Sequence, residues 1–440
     1  MKSNLRVLVI AEAANPDLTS VALIGHSLSQ AIGGVCDAHL VTEDRNRQSL
    51  LNAGVDPSFF TAISNPAQSV AFHIASVLRG GNSLGWTIHS ALATLAYPWF
   101  ELRVWKQFSK QLKAGEYDLV HRITPLSPTT PSYLSKKLAK IGVPLVLGPL
   151  NGGIPWPAGF HQVRMAEREW LGYFRDIYRI LPGLKSTRRL ASALVLASRH
   201  TYGEVTESKS ELESKAVWLP ENAIDPARFP EIHVEPSPPV AGEPLRLAFL
   251  GRLVPYKGAD MLLEAAAPLL KAGKVKLEII GDGPQMPELR AIVEREQLGN
   301  SVEFAGWVAH EKVRGHLSKA RVFAFPSVRE FGGGVVLEAM ALGLMPVVLD
   351  YGGPAELIPD GCGQVVPIGP REQVIESFRK VLGELAEKPG EVYETGLRAQ
   401  RHVRENYTWD AKASQLLEIY QWVLAGKPTP KPDPIRFSQT

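Results

Sequence analysis

Short runs of Val, Leu and Ile recur along this chain between stretches of helical periodicity, and that alternation constrains the fold more than any other feature. The runs fall at 6–11, 38–41, 118–123, 144–147, 193–196 and 216–219, then again at 246–250, 276–280, 302–305, 322–325 and 346–349. Strands that alternate with helices build parallel sheets covered on both faces. In the second series they stand about 20 to 30 residues apart, the spacing of consecutive βα units. A chain of 440 residues exceeds one ordinary core, and about 150 residues per domain suggests two or three. Between the series, Phe229 to Pro244 carries five prolines after Phe229, which forbid a continuous helix or central strand. The expected organisation is therefore an α/β chain of two large domains. Residues 1–235 form the first, completed by 409–440; 236–244 link the two; 245–408 form the second.

Composition narrows the function classes. Hydrophobic residues at 45% and charged residues at 21% exclude a disordered, collagen-like or coiled-coil chain. A net charge of +3 without a long Lys/Arg run is too mild for a dedicated nucleic-acid binder. Cys36 and Cys362 stand far apart and in no Cys-x-x-Cys arrangement, which argues against a disulfide framework or a structural zinc site and fits a reducing cytoplasm. The apolar run after Met1 is too short for a signal peptide and reads as a first buried strand. The least charged long segment, 83–100, is interrupted by Thr87, His89, Ser90, Thr94 and Pro98, so no transmembrane helix is expected.

The most informative segment runs from Phe323 to Gly343. A strand ends at Phe325, Gly332, Gly333 and Gly334 let backbone approach a ligand, and a helix then begins whose free N–H groups and dipole attract anions. That helix is apolar nearly all round yet carries Glu338, and a buried carboxylate must bond something, whether a ligand or a neighbouring cation. Glu330 lies on the loop before the glycines, where an ordinary solvated charge is the competing reading. A second station is Gly251-Arg252 with Lys257-Gly258, directly after the first strand of the second series. Two cations on one strand-to-helix loop can clamp a diphosphate, the Arg as a planar fork and the Lys as a point charge; the alternative is two solvated cations.

Taken together, Gly251-Arg252-x4-Lys257-Gly258, Gly281-Asp282-Gly283-Pro284 and Glu330-x7-Glu338, in this order and spacing, resemble glycosyltransferase family 4. These are retaining enzymes that use nucleotide sugars and have the GT-B fold. The likeness covers roughly residues 245–365. It implies two facing Rossmann-like domains with a cleft between them and a C-terminal helix, led in by Tyr407-Thr408-Trp409, that crosses back to the first domain. It further implies that Arg252 and Lys257 hold the diphosphate, that Glu330 binds hydroxyls of the donor sugar and that Glu338 binds the ribose. Gly251, Trp307, Phe331, Gly332, Gly333 and Gly334 would complete the donor site, Trp307 lying beside the base. No metal and no cofactor is implied beyond the nucleoside diphosphate sugar itself, with UDP favoured over GDP. The partners implied are a nucleotide sugar and a sugar or lipid-linked sugar acceptor, in bacterial polysaccharide or glycolipid synthesis, at a cytoplasmic location.

In the first half, His121 ends a predicted strand where relatives have His-x-His and this chain has Ile123; it is expected to be catalytic, with a satisfied structural histidine as the alternative. Asn151-Gly152-Gly153 resembles the Gly-rich loop of a bacterial exopolysaccharide branch and is expected on the acceptor side; a tight turn is the alternative. The loop from Glu12 to Ser20 departs from the family pattern and stays unread. Arg175, Lys185, Arg188 and Arg189, beside Trp170, Tyr173 and Phe174, suggest a basic aromatic face for weak peripheral membrane association, against the plainer reading of a solvated face. Two other functions compete: a nucleotide-sugar epimerase of GT-B type, and a non-catalytic subunit that binds the nucleotide sugar. A dehydrogenase is disfavoured, because no Gly-x-Gly-x-x-Gly follows the first strand of either half.

Overall fold

The computed structural model describes residues 2–66, 85–166, 182–207, 209–229 and 242–435. It divides into two compact units. The first comprises Met1–Gly153, Arg168–Glu221 and Trp409–Ile435; the second comprises Ile154–Glu167 and Asn222–Thr408. The segment 222–229, expected with the first domain, groups with the second. Ile224 donates its backbone N–H to the Tyr407 carbonyl at 2.7 Å and forms a bridge with Thr408, which ties it there. Residues 230–241, most of the expected linker, lie outside the described residues.

In the first unit the described strands are β1 (Arg6–Ala11), β2 (Asp37–Glu43), β3 (Phe60–Ile63), β4 (Leu119–Thr124), β5 (Leu145–Leu150), β6 (Ala193–Leu196) and β7 (Ala216–Trp218). They form one parallel sheet in the order β3-β2-β1-β4-β5-β6-β7. The second unit has β8 (Leu245–Leu250), β9 (Val275–Ile280), β10 (Val302–Gly306), β11 (Val322–Phe325), β12 (Met345–Leu349) and β13 (Gln364–Val366), again all parallel, in the order β10-β9-β8-β11-β12-β13. Both sheets therefore reverse direction between their first and fourth strands, and open α/β sheets bind ligands beyond the carboxyl ends of the strands at such a point.

Eleven of these strands carry the apolar runs noted above; β3 and β13 do not. Both are edge strands. Exposure of Gln364 and Val365, and half-exposure of Thr61 and Ala62, leave them without a continuous apolar run to read. The inner strands are sealed: Leu8, Ile10, Val120, Leu147, Leu194 and Leu196 belong to one core, packed with Phe100, Val104, Phe108 and Leu112 of the helix Gly85–Lys113. Each such side chain contributes about 1.5–3 kcal/mol by leaving water.

The last helix, Trp409–Leu424, packs within the first unit on the helix Val21–Val35, burying Leu416, Ile419 and Tyr420. The Pro/Lys-rich tail beyond it folds back on the same unit. Trp422 Nε1 donates to the Pro428 carbonyl at 2.8 Å, and Lys431 Nζ donates to Tyr202 Oη at 2.8 Å. Among the described residues, no helix is long and apolar enough to cross a membrane.

Candidate functional site

The second unit gathers most of the expected residues at its reversal point. Because β8 and β11 are paired neighbours, the loops that leave their carboxyl ends run side by side. Val328 donates its N–H to the Tyr256 carbonyl at 2.9 Å, and Ser327 Oγ donates to the same oxygen at 3.2 Å. Across this seam Lys257 Nζ meets Glu330 Oε2 in an ion pair, and the ammonium also lies 5.3 Å from the centre of the Phe325 ring. Arg252, on the same loop as Lys257, is exposed, and its guanidinium has no ion pair among the described residues. A fixed cation and a free one thus sit on one loop.

The third loop, after β9, holds the Arg252 loop by backbone alone. Leu253 donates to the Asp282 carbonyl at 2.9 Å, and a Cβ on Gly281, whose φ is +135°, would lie 1.9 Å from the Gly251 oxygen. Gly281-Asp282-Gly283 is therefore explained by close chain approach, which only glycine permits. Gly251 is half-buried above this contact.

Phe331, Gly332 and Gly333 lead into the helix Gly334–Ala341. Gly333 is its N-cap with φ 65°, no side chain caps it, and a Cβ there would press on Pro354 at 3.2 Å. Uncapped N–H groups at a helix start carry partial positive charge, the requirement for holding an anion. The ring of Phe331 is covered by the Arg329 guanidinium at 5.3 Å, which also lies 5.0 Å from the ring of Trp156. Trp156 belongs to 154–167, the stretch that joins the second unit.

Glu338 has a partner that composition gave no hint of. His310, the first residue of the helix His310–Leu317, lies with Nε2 2.9 Å from Glu338 Oε1, and Arg228 donates to the other ring nitrogen, Nδ1. With Nδ1 accepting, Nε2 carries the proton and donates to the carboxylate. Burial pushes the Glu338 carboxyl up to about 7, opposed by the Arg228 charge. The only sequence signal for His310 was its place just beyond the carboxyl end of a strand; Arg228 carried none, since its segment read as the end of the first domain. Trp307 follows β10 and is 76% exposed, an indole face open to solvent.

The expected residues of the first unit are built differently. His121 lies inside β4 and is wholly buried. Its Nδ1 is 2.6 Å from Tyr420 Oη and its Nε2 2.7 Å from the Gly148 carbonyl, and burial pushes its pKa down to about 4. Both ring nitrogens are occupied and protonation is opposed, which are the surroundings that the structural alternative calls for. His121 ties the last helix to the sheet. Asn151 is buried, donating Nδ2 to Glu221 Oε1 at 2.7 Å and accepting from the Gly152 N–H at 2.8 Å, while the Gly152 carbonyl accepts from Thr201 Oγ1 at 3.2 Å. Gly153, with φ 82°, continues that turn. The unread loop after β1 brings Glu12 to Arg45, which also pairs with Glu43, each at 2.8 Å. Of the expected basic face, Trp170, Tyr173, Phe174 and Arg175 lie outside the described residues. Lys185 and Arg189 are exposed, and Arg188, half-buried, donates to the Pro128 carbonyl at 2.9 Å.

Residues 244–384 match the family described as Glycosyl transferases group 1. A phosphatidylinositol N-acetylglucosaminyltransferase subunit of Arabidopsis thaliana is 29% identical over 228 residues, 51% of this chain and 48% of that protein. Alpha-maltose-1-phosphate synthase of Mycolicibacterium smegmatis is 32% identical over 219 residues, 48% of this chain and 54% of that one. The chain thus spans about half the length of the curated relatives it matches. Among solved structures, Anabaena Alr3699/HepE in complex with UDP superposes with TM-score 0.59 at 16% identity, covering 95% of this chain and 100% of that one. Sucrose-phosphate synthase from Thermosynechococcus elongatus does so with TM-score 0.60 at 18% identity, covering 96% and 100%. The fold is GT-B.

Proposed function

From the match of residues 244–384 to glycosyl transferases group 1 we propose that the chain moves a sugar from a nucleoside diphosphate sugar to an acceptor hydroxyl with retention of anomeric configuration. The observation that carries this reading is the exposed Arg252, without an ion pair among the described residues, beside the Lys257–Glu330 pair and the uncapped helix start at Gly333. Arg252, Lys257 and the N–H groups after Gly333 supply fixed positive charge where a diphosphate gains charge as its sugar departs. Such preorganised donors are worth about 3–4 kcal/mol each. This charge takes the place that a metal ion fills in other transferases. Glu330, steered by Lys257, accepts from sugar hydroxyls, and Glu338, steered by His310, accepts from the ribose. In the transfer the anomeric carbon–phosphate oxygen bond breaks, a bond to the acceptor oxygen forms, and the acceptor proton passes to the departing phosphate oxygen. UDP as the leaving nucleotide draws support from the Anabaena structure, which is a complex with UDP. The acceptor class we assign is a sugar or lipid-linked sugar of a bacterial polysaccharide or glycolipid.

Calorimetric titration of UDP and of GDP, without metal, into the wild type and into Arg252→Ala and Lys257→Ala tests the site. One nucleotide should bind, and each substitution should weaken it at least ten-fold. Binding of neither, or binding indifferent to both substitutions, overturns the assignment. Isomerisation of the donor sugar without acceptor would replace transfer by epimerisation, and binding without turnover would replace it by a regulatory role.

A further inference from the structure

The long helix Gly85–Lys113 of the first unit has an outer stripe that neither the fold nor the donor site uses. At 100° per residue, Trp99, Leu102, Arg103, Lys106, Lys110 and Lys113 fall within about 100° of arc, over a length of about 21 Å. Trp99 and Leu102, the two apolar members, are heavily exposed, at 59% and 46%. The stripe begins apolar and continues as four cations, none paired with a carboxylate among the described residues. The one acid of this helix, Glu101, is buried on the other side. There it accepts from Ser132 Oγ at 2.6 Å and from the N–H groups of Tyr133 and Leu134 at 2.6 and 3.2 Å. The next acid along the chain, Glu116, lies past the helix end.

Those bonds from Glu101 fasten the N-terminus of the neighbouring helix Leu134–Lys140, which adds Lys136, Lys137 and Lys140 to the same region. Lys137 Nζ and Lys113 Nζ lie 5.1 and 6.0 Å from the centre of one indole, that of Trp105, so the cations of the two helices converge there. A chain whose net charge is only +3 has concentrated seven cations on two adjoining helices. Like charges so close repel one another, and an exposed Trp and Leu stay in water at a cost. An anionic surface with an apolar layer beneath it relieves both, since lysine stems lie along apolar material while their heads reach phosphates.

We propose that this face, led by Trp99 and Leu102 and spread over Arg103, Lys106, Lys110 and Lys113, docks the protein on an anionic phospholipid bilayer. The occupant is a bilayer and not a nucleic acid, because the stripe leads with an exposed Trp and Leu, which contacts to nucleic-acid phosphates would leave in water and which an apolar layer beneath anionic headgroups takes up. Docking of this kind does not require the transferase reading.

Flotation of the full chain with vesicles of phosphatidylcholine alone, and of phosphatidylcholine mixed with phosphatidylglycerol, tests it. Binding is expected to the mixed vesicles only, and to fall with rising salt. Changing Arg103, Lys106, Lys110 and Lys113 together to Gln should weaken it at least a hundred-fold, at about five-fold per cation. Trp99→Ala should weaken it about ten-fold while leaving its salt dependence intact. Changing Lys271, Lys274, Lys276 and Lys380 to Gln removes the same charge from the second unit and should leave it unchanged. A far-UV circular dichroism spectrum and a cooperative urea transition like those of the wild type verify that every variant has folded. Equal binding to neutral vesicles, no binding to either, indifference to the stripe variants, or tighter retention of duplex DNA than of the mixed vesicles overturns the proposal.

Discussion

The two units share one strand order yet treat the carboxyl edges of their sheets in opposite ways. In the first unit polar residues meet protein partners: Arg45 is taken by Glu12 and Glu43, His121, inside β4, by Tyr420 and Gly148, and Asn151 by Glu221. In the second unit Arg252 is exposed without an ion pair among the described residues, Trp307 is bare, and a helix begins at Gly333 without a side-chain cap. A closed network stabilises the protein that contains it. Exposed groups without a protein partner are met by water, which a ligand can displace. By this criterion the second edge offers groups to a ligand, in keeping with the proposed function, whereas the same kinds of residue in the first unit are taken up by the protein itself.

The widest separation is expected between Arg252 and His121. Arg252→Ala should lower the rate of sugar transfer about 10²–10³-fold in a steady-state assay with the nucleotide that binds. Its stability in urea unfolding should stay within about 0.5 kcal/mol of wild type, as for an exposed side chain. His121→Ala should do the reverse to stability. Losing two buried hydrogen bonds and leaving Tyr420 unpaired should cost about 3 kcal/mol in urea unfolding. A stable His121→Ala variant that fails only in transfer would erase the contrast between the two edges.

Acid sharpens the same contrast. Because the native His121 pKa is about 4 and its ordinary value is 6.5, the unfolded chain binds the extra proton between those limits. Stability from this group is full above pH 6.5 and declines as pH falls to 4, by about 3 kcal/mol in all. Urea midpoints of wild type and His121→Asn should therefore converge as the pH is lowered through that window.

The smallest effect concerns Glu338. Raised to about 7, its carboxyl is still partly protonated at neutral pH, so the acceptor form grows as pH rises through 7. Nucleotide affinity should rise a few-fold over that range in wild type and be flat in Glu338→Gln. The linked effect on stability has the opposite direction: native Glu338 holds a proton that the unfolded chain has released, so this contribution falls as pH rises from 4.5 to 7. His310→Ala should weaken nucleotide binding a few-fold, because the carboxylate loses its donor.

What the sequence determined by itself is local and periodic. The apolar runs of the inner strands, the loops carrying Arg252 and Lys257, and the glycines before Glu338 were legible because a buried strand must be apolar, and a close turn must be glycine, wherever the rest of the chain lies. Edge strands β3 and β13 were not, since two of the four residues of β3 and one of the three of β13 are buried, too few for a continuous apolar run. Tertiary structure alone decided which partners meet. Lys257 reaches Glu330 across 73 positions, His121 reaches Tyr420 across 299, and Glu338 is held by a histidine 28 residues away on another helix. Whether a charged or titratable side chain is a ligand group or a structural one depends on whether its partners lie within the protein, and those partners come from segments that no local pattern connects.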